Sequence, residues 1–409
     1  MKGKNIRISF TGDLLAYHSL IKRSKNKSKY DFANVFEKVK CIFNDSDYVV
    51  GNLETPLAGK EAGYTLMDML FNTPDQFAND AKDAGFSMFT TANNHCMDKG
   101  QRGLERTIDI LDGIGIDHTG TFKNPQDQRY FIKEINGVKF GFISFTYGTN
   151  PNVNGYLIDE NNDYLVNLTK KSDTPYNRPF LKQFLIDLIY KLPLSLQNKI
   201  HPLYPNHAYE DNVDEKEIAK AVNQNYISNL KELITQAKSE SDITFVCLHS
   251  GGQFNSKLGA YTQYLIDEIR QLSVDAIIVN HPHCVLGSSY NANHFEAWSL
   301  GNFCFTPGEG YFIEGVYGEY GIVVHLEIDT TRKKIMDVFF NVIKNVKLSD
   351  GREQVIPVST LYNNLLDNEI EKEHLKKDVC NVINRFLMTH MDEIEIKAEY
   401  RYKDYKNLI

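Results

Sequence analysis

Five apolar runs in this chain end in the same kind of residue, and no other feature constrains the fold as strongly. Asn5–Phe10 leads into Thr11-Gly12-Asp13, and Tyr48–Gly51 into Asn52-Leu53-Glu54. Met88–Ala92 leads into Asn93-Asn94-His95, Ile243–Leu248 into His249, and Ala276–Val279 into Asn280-His281-Pro282-His283. Short runs rich in Ile, Val and Phe read as strands. A single polar residue at a strand end is more often a turn or cap. Five in one chain predict a shared site, because strand ends are where α/β sheets gather their ligands.

Helical segments separate the runs. Phe32–Phe43 and Gly103–Ile114 have helical spacing, and a helix from Pro74 to Gly85 has Pro in its first turn and Gly at its stop. Asn136-Gly137 joins Arg129–Ile135 to Val138–Thr146 as a hairpin. Residues Pro151–Asp214 break the rhythm and read as an insertion, with one helix at Phe180–Leu192. Helix Glu215–Ser239, helix Leu258–Leu272 and strands His294–Leu300, Gly321–Ile328 and Met336–Val346 follow. From Pro357 onward the pattern is helical, with Leu375, Val379, Ile383, Phe386 and His390 at helical spacing. Mixing parallel α/β alternation with hairpins predicts one mixed-sheet domain over 1–345, carrying the insertion at 151–214, and a helical extension over 346–409.

Composition removes several function classes. The 409 residues are 42% hydrophobic and 24% charged, which is ordinary for a globular protein. A net charge of -8 argues against nucleic-acid partners and anionic membranes. No apolar run approaches the roughly 20 residues of a membrane span. The start, Met1 to Asp13, enters a strand without a signal-like stretch, and the six cysteines are dispersed without a CxxC. A reduced, cytoplasmic protein is expected. Neither a Walker A pattern nor GxGxxG nor GxSxG occurs.

The strand-end residues suit metal chemistry. Carboxylate, imidazole and carboxamide without thiolate fit Mn, Fe or Zn. His281 and His283 lie two apart, so in an extended segment both leave one face. Asn94 and His95 are adjacent and diverge, one toward metal and one toward substrate. Six such ligands suffice for two divalent ions roughly 3.5–4 Å apart, a pair that lowers the pKa of water and clamps a phosphoryl group.

These segments resemble the calcineurin-like metallophosphoesterases, and more closely the bacterial capsule-synthesis family of CapA type, associated with poly-gamma-glutamate. The matching stretches are TGDLL at 11–15, GNLETPL at 51–57, KDAGF at 82–86, ANNHCMDKG at 92–100, TYGTN at 146–150, HSGGQF at 249–254, NHPHCV at 280–285 and SLGNF at 299–303. The resemblance implies a four-layer α/β/β/α sandwich. It implies that Asp13, Glu54 and His283 bind one metal, that Glu54 bridges, and that Asn94, His249 and His281 bind the second. His95 would stabilise the transition state or protonate the leaving group, with Asp98 orienting it. Asn52, Asn93, Tyr147 and Asn302 fall on the substrate side, Asn302 as support for the rim. The implied function is a metal-dependent phosphoesterase-like hydrolase in capsule or cell-surface polymer metabolism, with an anionic or phosphorylated substrate and polymer-synthesis proteins as partners. The alternatives are a non-catalytic accessory role in polymer synthesis and export, and hydrolysis of a gamma-glutamyl amide.

The chain departs from the family pattern in three places. Ser250 and Gln253 stand where the family has Trp and Glu, so an aromatic wall and a charge are missing. Leu15 occupies the histidine position of an Asp-x-His pair. The membrane anchor or lipoprotein signal common in the family is also expected to be absent. Elsewhere the plain readings are favoured: His18 and His207 in loops, His325 structural, and Cys96, Cys247 and Cys284 packed in the core. The basic run Lys22–Lys29 reads as a solvated loop.

Overall fold

The computed structural model describes residues 5–66, 70–172, 221–306, 315–365 and 368–408. Its strands are β1 (Ile6–Leu14), β2 (Lys25–Asn26), β3 (Lys29–Tyr30), β4 (Tyr48–Leu53), β5 (Met88–Thr90), β6 (Asp117–Thr119), β7 (Phe131–Ile135) and β8 (Val138–Thr146). They continue as β9 (Ile243–His249), β10 (Ala276–Asn280), β11 (Ser288–Asn291), β12 (His294–Ala297), β13 (Asn302–Cys304), β14 (Tyr320–Asp329), β15 (Lys334–Lys347), β16 (Glu353–Pro357) and β17 (Tyr400–Arg401). One sheet runs β16-β15-β14-β1-β4-β5-β6, with β13 on β1 and β17 on β15. The other runs β11-β12-β10-β9-β8-β7.

The two sheets pack face to face. Ile6, Ile8 and Phe10 alternate along β1 toward Phe142, Phe245 and Ile278 of the second sheet, and the Phe10 ring meets that of Phe245 edge-on at 5.2 Å. The opposite face of the first sheet, through Val49, Leu53 and Phe89, carries helices Ala33–Phe36, Gln76–Asp83 and Gly100–Ile114. The opposite face of the second, through Ile143, Val246 and Leu248, carries helices Ala221–Glu240 and Ala260–Arg270. The result is the four-layer α/β/β/α sandwich expected from the sequence. Among the described residues, no helix is long and apolar enough to cross a membrane.

Several boundaries differ from the sequence reading. The helix expected over 32–43 breaks after Phe36 and resumes as a 3-10 turn at Lys40–Phe43, keeping one buried face through Val35, Phe36, Val39, Ile42 and Phe43. The stretch after 345, expected as helical, holds helices Val358–Asn364 and Glu369–Leu387 but also β16 and β17, both paired with β15. Leu375, Val379, Ile383 and Phe386 lie in the same core as the inter-sheet residues, whereas the helix ends at Leu387 and leaves His390 exposed beyond it. The helix expected at 180–192, His207 and the remainder of the insertion from 173 lie outside the described residues.

A polar cluster on β12 fastens the second sheet to its helix. Glu296 is 1% exposed. It accepts from Arg270 Nε and Nη2 at 2.6 Å each, from His294 Nε2 at 2.8 Å and from Trp298 Nε1 at 3.1 Å. Burial alone would raise the carboxyl, but the bonds from His294, Arg270 and Trp298 outweigh it and hold the group at about 2. A carboxylate depressed on folding contributes stability above its unfolded value near 4.5, lost as pH falls toward 2. Glu296→Gln is therefore expected to cost about 2–3 kcal/mol at pH 7 and much less at pH 3. Urea unfolding at both pH values checks this. An equal loss at the two would mean that the charge is not responsible.

Candidate metal centre

The carboxyl ends of β1, β4, β9 and β10 meet where the two sheets face each other. Asp13 on β1 stands beside Asn52 on β4, and His249 on β9 beside Asn280 on β10, each pair in register. β1 runs past its expected end at Phe10, to Leu14, and so carries Asp13 on the sheet itself. Gly12 permits this: a Cβ there would lie 2.0 Å from the carbonyl oxygen of Gly301. The Asp13 N–H donates to that same carbonyl at 3.0 Å. The sheets are tied directly where Asn280 Nδ2 donates to Thr11 O at 3.4 Å and the His281 N–H to Asp13 Oδ2 at 3.2 Å.

All six residues expected as ligands converge. The ligand atoms of Asp13, Glu54 and His283 lie within 4.8 Å of one another, as do those of Glu54, His249 and His281, and Glu54 belongs to both groups. Asn94 Oδ1 is 2.7 Å from His249 Nε2. His281 Nδ1 is 3.1 Å and Glu54 Oε1 3.3 Å from that same nitrogen. A neutral imidazole nitrogen carries at most one hydrogen, so these electron-rich atoms cannot all be joined by hydrogen bonds. Neither oxygen of Glu54 has a hydrogen-bond partner, although the side chain is fully buried. A bare buried carboxylate facing imidazoles fits a cation.

The protonation pattern follows from the same crowding. Burial, then the neighbouring His249 and His283, hold His281 well below the ordinary histidine value. Burial would also lower His283, but Glu54 and Asp13 outweigh it and push the ring up to about 9. Asp13, which burial alone would raise, is held below the usual carboxylate range by His283.

The way His281 and His283 reach the centre corrects the extended reading. Strand β10 ends at Asn280, and the two histidines have φ of +106° and +55°. A left-handed turn, not a common strand face, turns both rings inward.

His95 sits beside these groups. Its Nδ1 is 2.7 Å from Asp98 Oδ2, which also accepts from the Phe71 N–H at 2.7 Å. The Phe71 ring packs edge-on to the imidazole at 4.6 Å. Burial would lower His95, but Asp98, with Glu54 behind it, outweighs that and holds the ring above the ordinary value.

Three residues expected on the substrate side are engaged inside the protein instead. Asn52 Nδ2 donates to Asp13 Oδ1 at 2.7 Å and lies 3.2 Å from His249 Nδ1, while its Oδ1 accepts from Thr90. Asn93 donates to Leu53 O and accepts from the His95 N–H, shaping the turn after β5. Asn302 is fully buried, with both amide ends bonded. Tyr147 alone of the four is partly exposed, its ring 4.8 Å from that of His281. Phe71 and the buried Lys170, whose ammonium lies 5.8 Å from the Tyr147 ring, escaped the sequence reading. Both are on loops, where periodicity gives no signal.

Among the described residues, His18, His325, Ser250, the cysteines and the basic run stand apart from the centre's chemistry. His18 Nδ1 is 3.0 Å from Thr65 O. His325 is buried between Ser9 and Asn341, and burial pushes it down to about 3. Ser250 is buried and its hydroxyl pairs with that of Thr262, away from any nucleophile's role. Burial pushes the thiols of Cys96, Cys247 and Cys284 up to about 12. The basic run begins in the last turn of helix His18–Arg23 with Lys22 and Arg23 and continues through the hairpin β2–β3, with its lysines exposed.

Known proteins share this chain's pattern at low identity. The chain is 23% identical over 304 residues to the PGA biosynthesis protein CapA of Bacillus subtilis (strain 168), covering 73% of this chain and 63% of that protein. It is 21% identical over 311 residues to the capsule biosynthesis protein CapA of Bacillus anthracis, covering 75% and 61%. The chain thus spans less than two thirds of the length of these curated relatives. Among solved structures, TT1561 of Thermus thermophilus aligns over 83% of this chain and 99% of that one at 8% identity and a TM-score of 0.35, too loose a likeness to carry weight. The family model described as "Bacterial capsule synthesis protein PGA_cap" matches residues 7–307, a span that holds every residue of the buried centre, and the chain belongs to that family.

Proposed function

We propose that this protein is a metal-dependent phosphoesterase-like hydrolase acting on an anionic or phosphorylated substrate in capsule or cell-surface polymer metabolism. The observation that carries the reading is Glu54: a fully buried carboxylate with neither oxygen hydrogen-bonded, shared by two groups of ligand atoms. Asp13, Glu54 and His283 would hold one divalent ion, and Glu54, Asn94, His249 and His281 the other. When bound, such ions supply Lewis-acid stabilisation of phosphoryl oxygens and ease the ionisation of water.

The remaining steps belong to the chain's own groups. His95 presents Nε2, because Nδ1 is engaged by Asp98. Held above its ordinary value by that carboxylate, the imidazole is placed to deliver a proton to the departing oxygen. Asp98 is itself fixed by the Phe71 N–H, and the Phe71 ring closes one side of the imidazole against water. Tyr147 forms part of the rim where substrate enters.

Protein purified without chelator is expected to contain about two equivalents of Mn, Fe or Zn by elemental analysis. The absence of any of these would sink the reading. The metal-loaded protein is then offered an aryl phosphate, a phosphodiester and a gamma-glutamyl amide. Turnover of a phosphoester supports the proposal. Metal without turnover of any of the three would point to an accessory role, and turnover of the amide alone to the third reading.

A further inference from the structure

The helix Glu369–Leu387 lies beyond the residues that match the family pattern, yet it connects to the buried centre. We infer that this C-terminal helix positions the ligand His283, acting through the loop Gly315–Gly318 and the Asn302 amide; the inference rests on the metal-centre reading above.

The connection begins at Asn302. Its Nδ2 donates to His283 O at 3.0 Å and to Gly318 O at 2.8 Å, which occupies both amide hydrogens. That fixes which way the amide points, so Oδ1 is the atom 2.9 Å from His283 Nδ1. A carbonyl oxygen has no hydrogen to offer, and the ring must therefore present its N–H there. Asp13 Oδ2, 3.4 Å from the same nitrogen, is also an acceptor and demands the same tautomer. His283 is left with Nε2 as the nitrogen toward Glu54, 3.6 Å from Oε1. Fixing one imidazole nitrogen in this way orients the other as a ligand.

The Asn302 amide keeps its orientation only while the Gly318 carbonyl stays in place, and the helix holds that loop. Arg385 donates from Nη1 to Val316 O and from Nη2 to Gly315 O, each at 3.0 Å. Its guanidinium lies 5.7 Å from the centre of the Tyr317 ring. One turn earlier, Asn381 Nδ2 donates to the Tyr317 hydroxyl at 2.7 Å. Tyr317 needs such restraint, since its φ is +60°. Space is also tight at Gly318, where a Cβ would come within 3.3 Å of Phe254 and 3.4 Å of His283 O. On its opposite side the helix is anchored in the inter-sheet core through Val379, Ile383 and Phe386. Asn381 and Arg385 are positioning residues: they reach the centre only through the loop.

The test uses the full-length protein and Mn²⁺ as probe. Binding constants are measured by competition with a chromophoric chelator, and the bound ion is examined by electron paramagnetic resonance. The double variant Asn381→Ala/Arg385→Ala is expected to weaken one of the two Mn²⁺ equivalents by about 5- to 10-fold and to broaden its spectrum, with the second equivalent unchanged. Asn302→Ala is expected to lose about 10- to 100-fold at the same equivalent, the usual effect of removing a ligand's hydrogen-bond partner. Arg385→Lys keeps the charge without the fork onto two carbonyls and should fall between wild type and double variant. A double variant with a lowered melting temperature but both wild-type constants would overturn the inference, because a purely structural helix behaves that way. If the wild type binds no Mn²⁺, the metal-centre reading fails first, and the positioning role with it.

Discussion

Glu54→Gln is expected to release both metal ions at once and, in the metal-free protein, to lower stability. The two halves of this result have one cause. Glu54 is fully buried with both oxygens unbonded, and it alone belongs to both groups of ligand atoms. An amide is a poor ligand beside a carboxylate, so affinity falls at both positions and turnover with it, by about 1,000-fold or more. Without ions, the carboxylate faces the His283 imidazolium that it helps to hold up to about 9, and a neutral amide leaves that buried charge short of a partner, a cost of about 1–3 kcal/mol. Elemental analysis, turnover of an aryl phosphate and the melting temperature in chelator check the three parts. A variant that retains two equivalents would remove Glu54 from the centre. Higher stability in chelator would mean that its charge is not balanced within the protein. Asp13→Ala and His281→Ala should likewise lose metal and activity, since each belongs to one of the two groups of ligand atoms.

His95→Ala separates metal binding from proton transfer. His95 belongs to neither group of ligand atoms, and its closest polar contact is Asp98. The variant should keep two equivalents of metal and lose rate by about 100-fold or more, the ordinary scale for a general acid. The loss should be large for an alkyl phosphate, whose leaving oxygen needs a proton, and small for a nitrophenyl phosphate, whose does not. Asp98→Asn should show the same leaving-group pattern at smaller amplitude. An equal loss on both substrates would assign His95 to stabilising the transition state rather than to donating a proton.

The strand-end residues were legible because each stands at the close of an apolar run, and the run is a local signal. Asp13, Glu54, Asn94, His249, His281 and His283 were therefore visible among the strand-end residues without any knowledge of contacts, and the family resemblance singled them out as ligands over Asn52, Asn93, His95 and Asn280. How they are aimed was not. The positive φ of His281 and His283 is set by the turn after β10, and nothing in His-Pro-His spells it out. Asn52, Asn93 and Asn302 look like substrate contacts in a sequence because exposed and buried amides are the same letter. Their bonds to Asp13, to the His95 N–H and to His283 exist only once distant segments meet. Phe71 was silent for a similar reason: its role depends on Asp98, 27 residues away. β16 and β17 are short, and the helical stripe beside them dominated the reading of that region.

The centre draws Asp13, Glu54 and Asn94 from one side of the sandwich and His249, His281 and His283 from the other. An ion seated there would work as a rivet, and its grip on the assembled protein would strengthen with the logarithm of its concentration. Thermal tolerance would then track the supply of that ion in the surroundings, rising when it is plentiful and relaxing when it is scarce.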